Sequence, residues 1–320
     1  MGKIIVIAMN SLVETVRQPV FVIILAGGAF MIALSPSFTM FTFMSNIKLV
    51  KDMGLATILL TGILQTVFSA AGVVSSEIED KTAMMILPKP VSKTQFICGK
   101  YFGIAAAIAG SVYLLTLILL LTVRVGVPEA AYTRLHRPVI FGEIFAILIA
   151  VMIATLSNYF YNRSFCSSCF GYSLVSFTFI FLLLGFIDKD MKLQKFCTDV
   201  DPYLISASYL ILLALLTITA VAIALSTRFG MVLSVVLCVS IFILGLLSDY
   251  MFGRFVEESV AAKIAYSVIP NMQAFWIADA VICGQKIPLR FIASVTGYGV
   301  AYQMAALALS VLLFETREIS

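Results

Sequence analysis

The sequence predicts an all-α fold, a polytopic transmembrane helical bundle of about six to eight spans that forms one domain over residues 1–320. Of its 320 residues, 61% are hydrophobic and 12% are charged, with a mean hydropathy of +1.07. Soluble domains carry roughly 45–50% apolar and about 25% charged residues. The apolar residues are also gathered into runs of about 20, the length that crosses the hydrocarbon layer as a helix.

Residues 3–18 are predicted to form a helix that lies in the membrane interface ahead of the first span. Apolar side chains recur there at helical spacing, while the polar ones lie largely elsewhere around the helix. The apolar set is Ile5, Met9, Leu12 and Val16, and the polar set is Lys3, Asn10, Glu14 and Arg17. The charged residues and the lack of a small-residue cleavage site argue against a signal peptide. Pro19 then allows a turn into the bilayer.

Eight apolar runs are candidate spans, and an even number places both chain ends on one side of the membrane. They are residues 20–43, 55–74, 101–123, 139–159, 165–187, 203–225, 231–247 and 291–314. The fourth and fifth runs are separated only by the short polar break around Asn162 and Arg163. The number of spans between residues 124 and 203 therefore stays open at this point.

No ionisable residue is expected well inside these spans, because Arg163, Asp188 and Arg228 fall at their edges. Transporters driven by an ion gradient usually carry acidic or basic residues within the membrane. The pattern therefore favours an apolar path for a lipid-like or otherwise amphipathic substrate.

The segment 75–100 between the second and third spans concentrates charge in a chain that otherwise avoids it. Its acidic residues, Glu77, Glu79 and Asp80, are predicted to occupy the first turn of a short helix, where the helix dipole favours anions. Pro88 ends that helix. Ser92 followed three residues later by Gln95 fits a capping box that starts a second helix. Two interpretations remain open, an ordinary charged loop or a docking element for a soluble partner.

Two glycines in the same region, Gly99 and Gly103, form a GxxxG pattern that lets two helices approach closely. A chance occurrence is the alternative, since the chain contains 19 glycines.

This charged segment resembles the intracellular loop of type-2 ABC transporter permeases, the membrane-spanning subunits of ABC exporters. The matching residues are Glu77, Ile78, Glu79, Lys81, Thr82, Leu87, Lys89, Pro90, Val91, Ser92, Lys93, Phe96, Gly99 and Lys100. Pro88 departs from the small residue usual at its position. Residues 48–58, 224–230, 270–280 and 314–318 also look like segments of the family, and the branch for multicopper-enzyme maturation is the most similar. Residues 139–187 depart from the family's six-helix core.

The resemblance implies that residues 75–100 form a cytoplasmic coupling helix that contacts a separate ATPase. The implied contact residues are Glu77, Glu79, Lys81, Thr82, Lys89, Pro90, Ser92 and Lys93. Residues 249–290 would be an extracytoplasmic re-entrant segment, with Pro270, Asn271 and Phe275 as its gate. The counts of Lys and Arg in the loops do not support this orientation by the positive-inside rule, so it rests on the resemblance.

The same resemblance implies a multi-pass protein of the bacterial cytoplasmic (inner) membrane. Its partners would be two copies of an ABC ATPase and a second permease chain, identical or not, within the lipid bilayer. ATP and Mg²⁺ would bind to the partner ATPase, and no cofactor, metal or nucleic acid to this chain.

The residues themselves argue against catalysis by the chain alone. A P-loop needs GxxxxGK followed by Ser or Thr, and the Gly-Lys pairs here, at Lys3 and Lys100, are followed by Ile and Tyr. His136 is the sole histidine, which excludes an HExxH zinc site. The predicted function is therefore the non-catalytic permease subunit of an ATP-driven exporter. The alternatives are an ion-gradient-driven transporter or channel, and a non-transporting membrane assembly factor.

Overall fold

The computed structural model of the chain describes residues 2–38, 46–79, 92–126, 136–189, 191–196, 200–255 and 259–315. Within these ranges the chain is helical, and the one bridge outside the helices, between Ile187 and Leu193, belongs to no strand. The predicted all-α class is confirmed. The longer helices are α1 Gly2–Arg17, α2 Pro19–Phe38, α3 Asn46–Glu79, α4 Lys93–Val125, α5 Arg137–Tyr161, α6 Phe165–Leu184, α7 Pro202–Ser226 and α8 Met231–Leu246.

Shorter elements follow α8 before the last long helix. They are α9 Ser248–Met251, a 3₁₀ turn Gly253–Phe255, α10 Val260–Val268, a second 3₁₀ turn Gln273–Phe275, α11 Ala278–Ile282 and finally the long helix α12 Leu289–Glu315. The described part of the chain between α8 and α12 is therefore divided into helices of nine residues or fewer.

Seven of the described helices are long and apolar enough to cross a membrane, namely α2 to α7 and α12. The pair formed by α8 and the segment Ser248–Phe255, bent by 65°, passes the same test as an eighth. Each of the eight predicted runs thus coincides with a helix, and the predicted range of spans is confirmed. This is the architecture of a multi-pass α-helical membrane protein.

The bundle has a buried centre and a more exposed periphery. In α4 and α7, 72% and 78% of the most apolar stretch is buried inside the protein, against 22% in α5. The helices α3, α4 and α7 contact one another, and α2, α5, α6 and α12 lie around them. Apolar side chains on the peripheral helices, such as Phe141 and Val175, are exposed as expected for contact with lipid.

The short break between α5 and α6 is a tight turn, so residues 124–203 contain two antiparallel spans. Asn162 ends α5 in the left-handed conformation, and its N–H donates to the carbonyl of Asn158. The Asn158 amide in turn donates to the carbonyl of Arg163 at 2.7 Å. Asparagine tolerates this conformation better than most residues, which allows α6 to begin at once.

Helix α3 continues to Glu79, through the position where a separate short helix was predicted to begin. The predicted short helix with Glu77 and Glu79 in its first turn is wrong, because both belong to the last described turn of α3, which begins at Asn46. Helix α3 has 34 residues, about 51 Å at 1.5 Å per residue, and so extends beyond a hydrocarbon layer of about 30 Å.

Candidate functional site

The start of α4 is the part of the predicted coupling segment that the structure describes in full. The Ser92 side chain accepts a hydrogen bond from the Gln95 N–H at 3.2 Å, and the Gln95 side chain accepts one from the Ser92 N–H at 3.4 Å. The predicted capping box is confirmed, and it fixes the residue at which α4 begins.

The C-terminal end of α12 lies against this same helix start. The rings of Phe96 and Phe314 are stacked with centroids 5.8 Å apart. The Lys93 ammonium donates to the backbone carbonyl of Glu315 at 3.5 Å. The end of α12 and the start of α4 therefore share one end of the bundle, here named the coupling end.

The helix α1 docks on α4 at the GxxxG pattern. A Cβ atom at Gly103 would lie 2.5 Å from the Ala8 carbonyl oxygen and 2.5 Å from the Ser11 Cβ. A Cβ atom at Gly99 would lie 2.7 Å from the Ile7 Cβ. The close approach predicted for this pattern is confirmed, and the partner is α1.

Only part of the predicted apolar face of α1 is turned to the bundle, as an interfacial position of this helix allows. Val16 is buried, but Ile5 and Met9 are 62% and 56% exposed. The small residues Ala8 and Ser11 make the contact instead, because two helix backbones approach closely only where side chains are small.

An ion pair closes the α1–α4 contact. The Lys100 ammonium lies 3.1 Å from a Glu14 carboxylate oxygen, and the lysine side chain is only 2% exposed while that of Glu14 is 34% exposed. The Lys100 ammonium also lies over the Phe96 ring, 5.9 Å from its centroid. The ammonium group of Lys100 is thus held inside the coupling end by Glu14 of α1 and Phe96 of α4.

The remaining predicted contact residues lie partly outside the described structure. Lys81, Thr82, Lys89 and Pro90 fall in residues 80–91, which are not among the described residues. For Glu77 and Glu79 the backbone is described, and both residues lie in the last described turn of α3. The predicted contact set therefore stays a prediction at these positions.

The predicted gate residues lie at the opposite end of the bundle, in a folded-back segment here named the plug, residues 270–276. The Met272 N–H donates to the Gly245 carbonyl at the end of α8, at 3.1 Å. A Cβ atom at Gly245 would lie 2.5 Å from the Pro270 carbonyl oxygen. Glycine is thus required where the plug backbone meets α8.

Phe275 anchors the plug in the bundle. Its side chain is 2% exposed, and its ring centroid lies 6.0 Å from that of Tyr298 on α12. A Cβ atom at Gly299 would lie 3.2 Å from the Phe275 ring. The small residue on α12 lets the aromatic ring fill the space between helices.

Asn271 holds the polar side of the plug. Its backbone N–H donates to the Tyr298 hydroxyl at 2.8 Å, and its side-chain amide donates to the Asp249 carboxylate at 2.8 Å. The Tyr266 hydroxyl donates to the same carboxylate oxygen at 2.8 Å. This last hydrogen bond raises the pKa of Tyr266 above its usual value. The three predicted gate residues are therefore brought together in one structural unit.

Between the two ends, a polar contact joins the central helices. The Tyr101 hydroxyl on α4 donates to the Gln303 side chain on α12 at 3.1 Å. The Gln303 amide donates to the Leu213 carbonyl and the Thr217 hydroxyl on α7, each at 3.4 Å. Buried side-chain hydrogen bonds between membrane helices orient one helix relative to its neighbours.

The expectation that no ionisable residue lies well inside the spans is wrong. Glu143 lies on α5, six positions after its first residue, and accepts a hydrogen bond from the Thr122 hydroxyl on α4 at 3.4 Å. It faces a crevice between α2, α4, α5 and α6. An acid inside an apolar span is itself a signal of a functional site, and it was visible in the sequence.

The fold and its two ends define a class, a multi-pass α-helical membrane protein with a charged segment at one end and a folded-back plug at the other. Comparison with known proteins adds no narrower assignment, because no protein-family model matches the chain and no curated protein matches it.

Proposed function

We propose that this chain is the permease subunit of an ATP-driven ABC exporter in the bacterial cytoplasmic membrane. One observation carries the proposal. The charged segment that resembles a coupling helix joins α3 to α4 at an end of the bundle where α1 and the end of α12 also meet. A soluble partner bound there would contact several elements of the bundle at once.

The buried contacts offer a route by which movement at the coupling end reaches the plug. Helix α4 runs unbroken from Lys93 to Val125. It bonds through Tyr101 to Gln303 on α12, and α12 contacts the plug through Tyr298.

The mechanism follows from these two ends. Two ATPase subunits would close on ATP and Mg²⁺ and move the coupling segments of two permease chains. The plug would then open or close the outer end of the path in response. This chain would supply the path and the contacts, and its partner the hydrolysis.

The test reverses two charges at the coupling end, Lys93→Glu together with Glu79→Lys. The matched control reverses two exposed charges on the other side of the bundle, Lys263→Glu together with Asp52→Lys. Each variant is purified from its native membrane. The preparation is assayed for a co-purifying P-loop protein and for the ATPase activity of that protein. The proposal predicts normal insertion for both variants and loss of stimulated ATPase activity only for the first. Undiminished activity of the first variant would refute it.

Glu143 favours a second candidate, a transporter driven by an ion gradient, because acids within spans serve as ion and proton sites in such proteins. The two candidates differ in what drives movement. Purified chain in proteoliposomes, without ATPase, would accumulate or release substrate on an imposed proton or sodium gradient if the second candidate is correct. A requirement for the ATPase and ATP would support the permease.

A further inference from the structure

A crevice of about 320 Å³ lies between four helices on the side of the bundle. This volume falls in the range of about 300–1,000 Å³ that small-molecule sites occupy. Three alanines of α2, Ala26, Ala29 and Ala33, leave the space open along one wall. Ile147 and Val151 of α5 and the aromatic side chains Phe170 and Phe177 of α6 also line the crevice.

The crevice opens beside exposed apolar side chains of the kind that membrane-spanning helices turn toward the hydrocarbon layer. Its lining residues Phe30, Ile147 and Val151 are 63%, 51% and 41% exposed on peripheral spans. A molecule dissolved in the bilayer could therefore reach it sideways. The apolar lining suits the body of such a molecule, because apolar surface packs there without exposing polar groups.

One ionisable group faces this apolar space. Among the described lining residues, Glu143 is the one carboxylate, and none is basic. The Thr122 hydroxyl donates to one of its oxygens, and an ionised carboxylate has acceptor sites for several donors. A carboxylate within a span usually pairs with another group. Among the described residues the donor to Glu143 is Thr122, so its further acceptor sites point to a cationic donor.

The depth of Glu143 limits what kind of cation can reach it. It lies six positions after the start of α5 at Arg137, about 9 Å along the helix at 1.5 Å per residue. A phospholipid amine would bring its phosphate toward the carboxylate, and like charges at short distance in a medium of low dielectric constant repel strongly. A molecule with a single positive charge and no phosphate avoids this repulsion.

We propose that the crevice binds a lipophilic amine, with the ammonium group on Glu143 and the apolar body along the alanines of α2. The alanine wall from Ala26 to Ala33 covers seven helical steps, about 10 Å, which accommodates an extended apolar body. Binding is a property of this chain alone. It does not depend on whether an ATPase or a gradient drives transport.

The probe is radiolabelled dodecylamine, measured by equilibrium dialysis against the chain in phosphatidylcholine nanodiscs, with empty nanodiscs subtracted. The proposal predicts saturable binding of one molecule per chain. Glu143→Gln should weaken it at least tenfold, because the amide keeps the shape and removes the charge. Asp52→Asn, the same change at an exposed carboxylate outside the crevice, should leave binding unchanged.

Two further arms keep the test decisive if Glu143→Gln fails to fold. Ala29→Phe fills the crevice without altering charge and should also weaken binding at least tenfold. Dodecanoate, of equal length and opposite charge, should not bind saturably.

Three results would overturn the proposal. The first is equal binding by wild type and a folded Glu143→Gln variant, and the second is equal binding of dodecanoate. The third is loss of dodecylamine binding when phosphatidylethanolamine replaces phosphatidylcholine, since this would show that a lipid headgroup occupies the site.

Discussion

Replacing Gly103 with alanine tests the contact that holds α1 on the bundle. The added Cβ atom would lie 2.5 Å from the Ala8 carbonyl oxygen and 3.0 Å from the Leu12 nitrogen. Both are backbone atoms, so no side-chain rotation can relieve the clash. The two helices must move apart, and the Lys100–Glu14 ion pair beside them must lengthen.

The expected magnitude follows from two opposing effects. Overpacking a close contact costs about 1–3 kcal/mol. Alanine in place of glycine within a helix contributes about 0.5–1 kcal/mol of stabilisation. Gly171 on α6 is the matched control, because a Cβ atom there would meet nothing within 4 Å. Gly171→Ala should therefore show the stabilising effect alone, and Gly103→Ala should be less stable than this control by about 1–3 kcal/mol.

The assay is reversible unfolding in mixed micelles with increasing dodecyl sulfate, followed by circular dichroism. The free energies of unfolding of wild type and both variants are compared under the same conditions. If the two variants agreed within about 0.5 kcal/mol, the close approach of α1 to α4 described above would be wrong.

Two other predictions concern the plug and the bundle interior. Asn271→Ala should loosen the plug because it removes the amide donor to Asp249. A cysteine at Met272, 2% exposed, should then react with an impermeant maleimide in a background where Cys197 and Cys283 are replaced by serine. Protection equal to that in the parent would contradict this. Gln65→Leu should lower the free energy of unfolding by about 0.6 and at most about 1.7 kcal/mol for each of two lost hydrogen bonds. The buried amide donates to a carbonyl on α2 at 3.1 Å and accepts from the Ser111 hydroxyl on α4 at 2.5 Å. No loss relative to Thr155→Val, which removes an exposed bond within one helix, would contradict it.

The spans were predictable because hydropathy depends on composition over a window as long as the bilayer is thick. The ends of the helices were harder to predict than the spans. Backbone hydrogen bonds continue a helix past the apolar run, so α3 reaches Glu79 although its apolar residues end earlier. The start of α4 was predictable to the residue because Ser92 and Gln95 satisfy each other locally.

The tertiary contacts could not be read from the sequence. The glycine pattern at Gly99 indicates close packing without naming the partner, and α1 is apolar on more than one face. The plug likewise depends on Gly245 of α8 and Gly299 of α12. Both glycines are more than 20 positions from Phe275 along the chain. Glu143 was missed for another reason, since one acid barely changes the hydropathy of a 25-residue helix.

Photo-crosslinking from position 93 tests the central claim most directly. A photoreactive amino acid replaces Lys93 at the coupling end, and a matched one replaces Lys263, an exposed residue on the other side of the bundle. Adducts formed in the native membrane are identified by mass spectrometry. The permease account predicts a soluble protein with a P-loop attached at position 93 and absent at position 263. A chain that forms no such adduct at position 93, while forming adducts with lipid or with itself, would contradict the account.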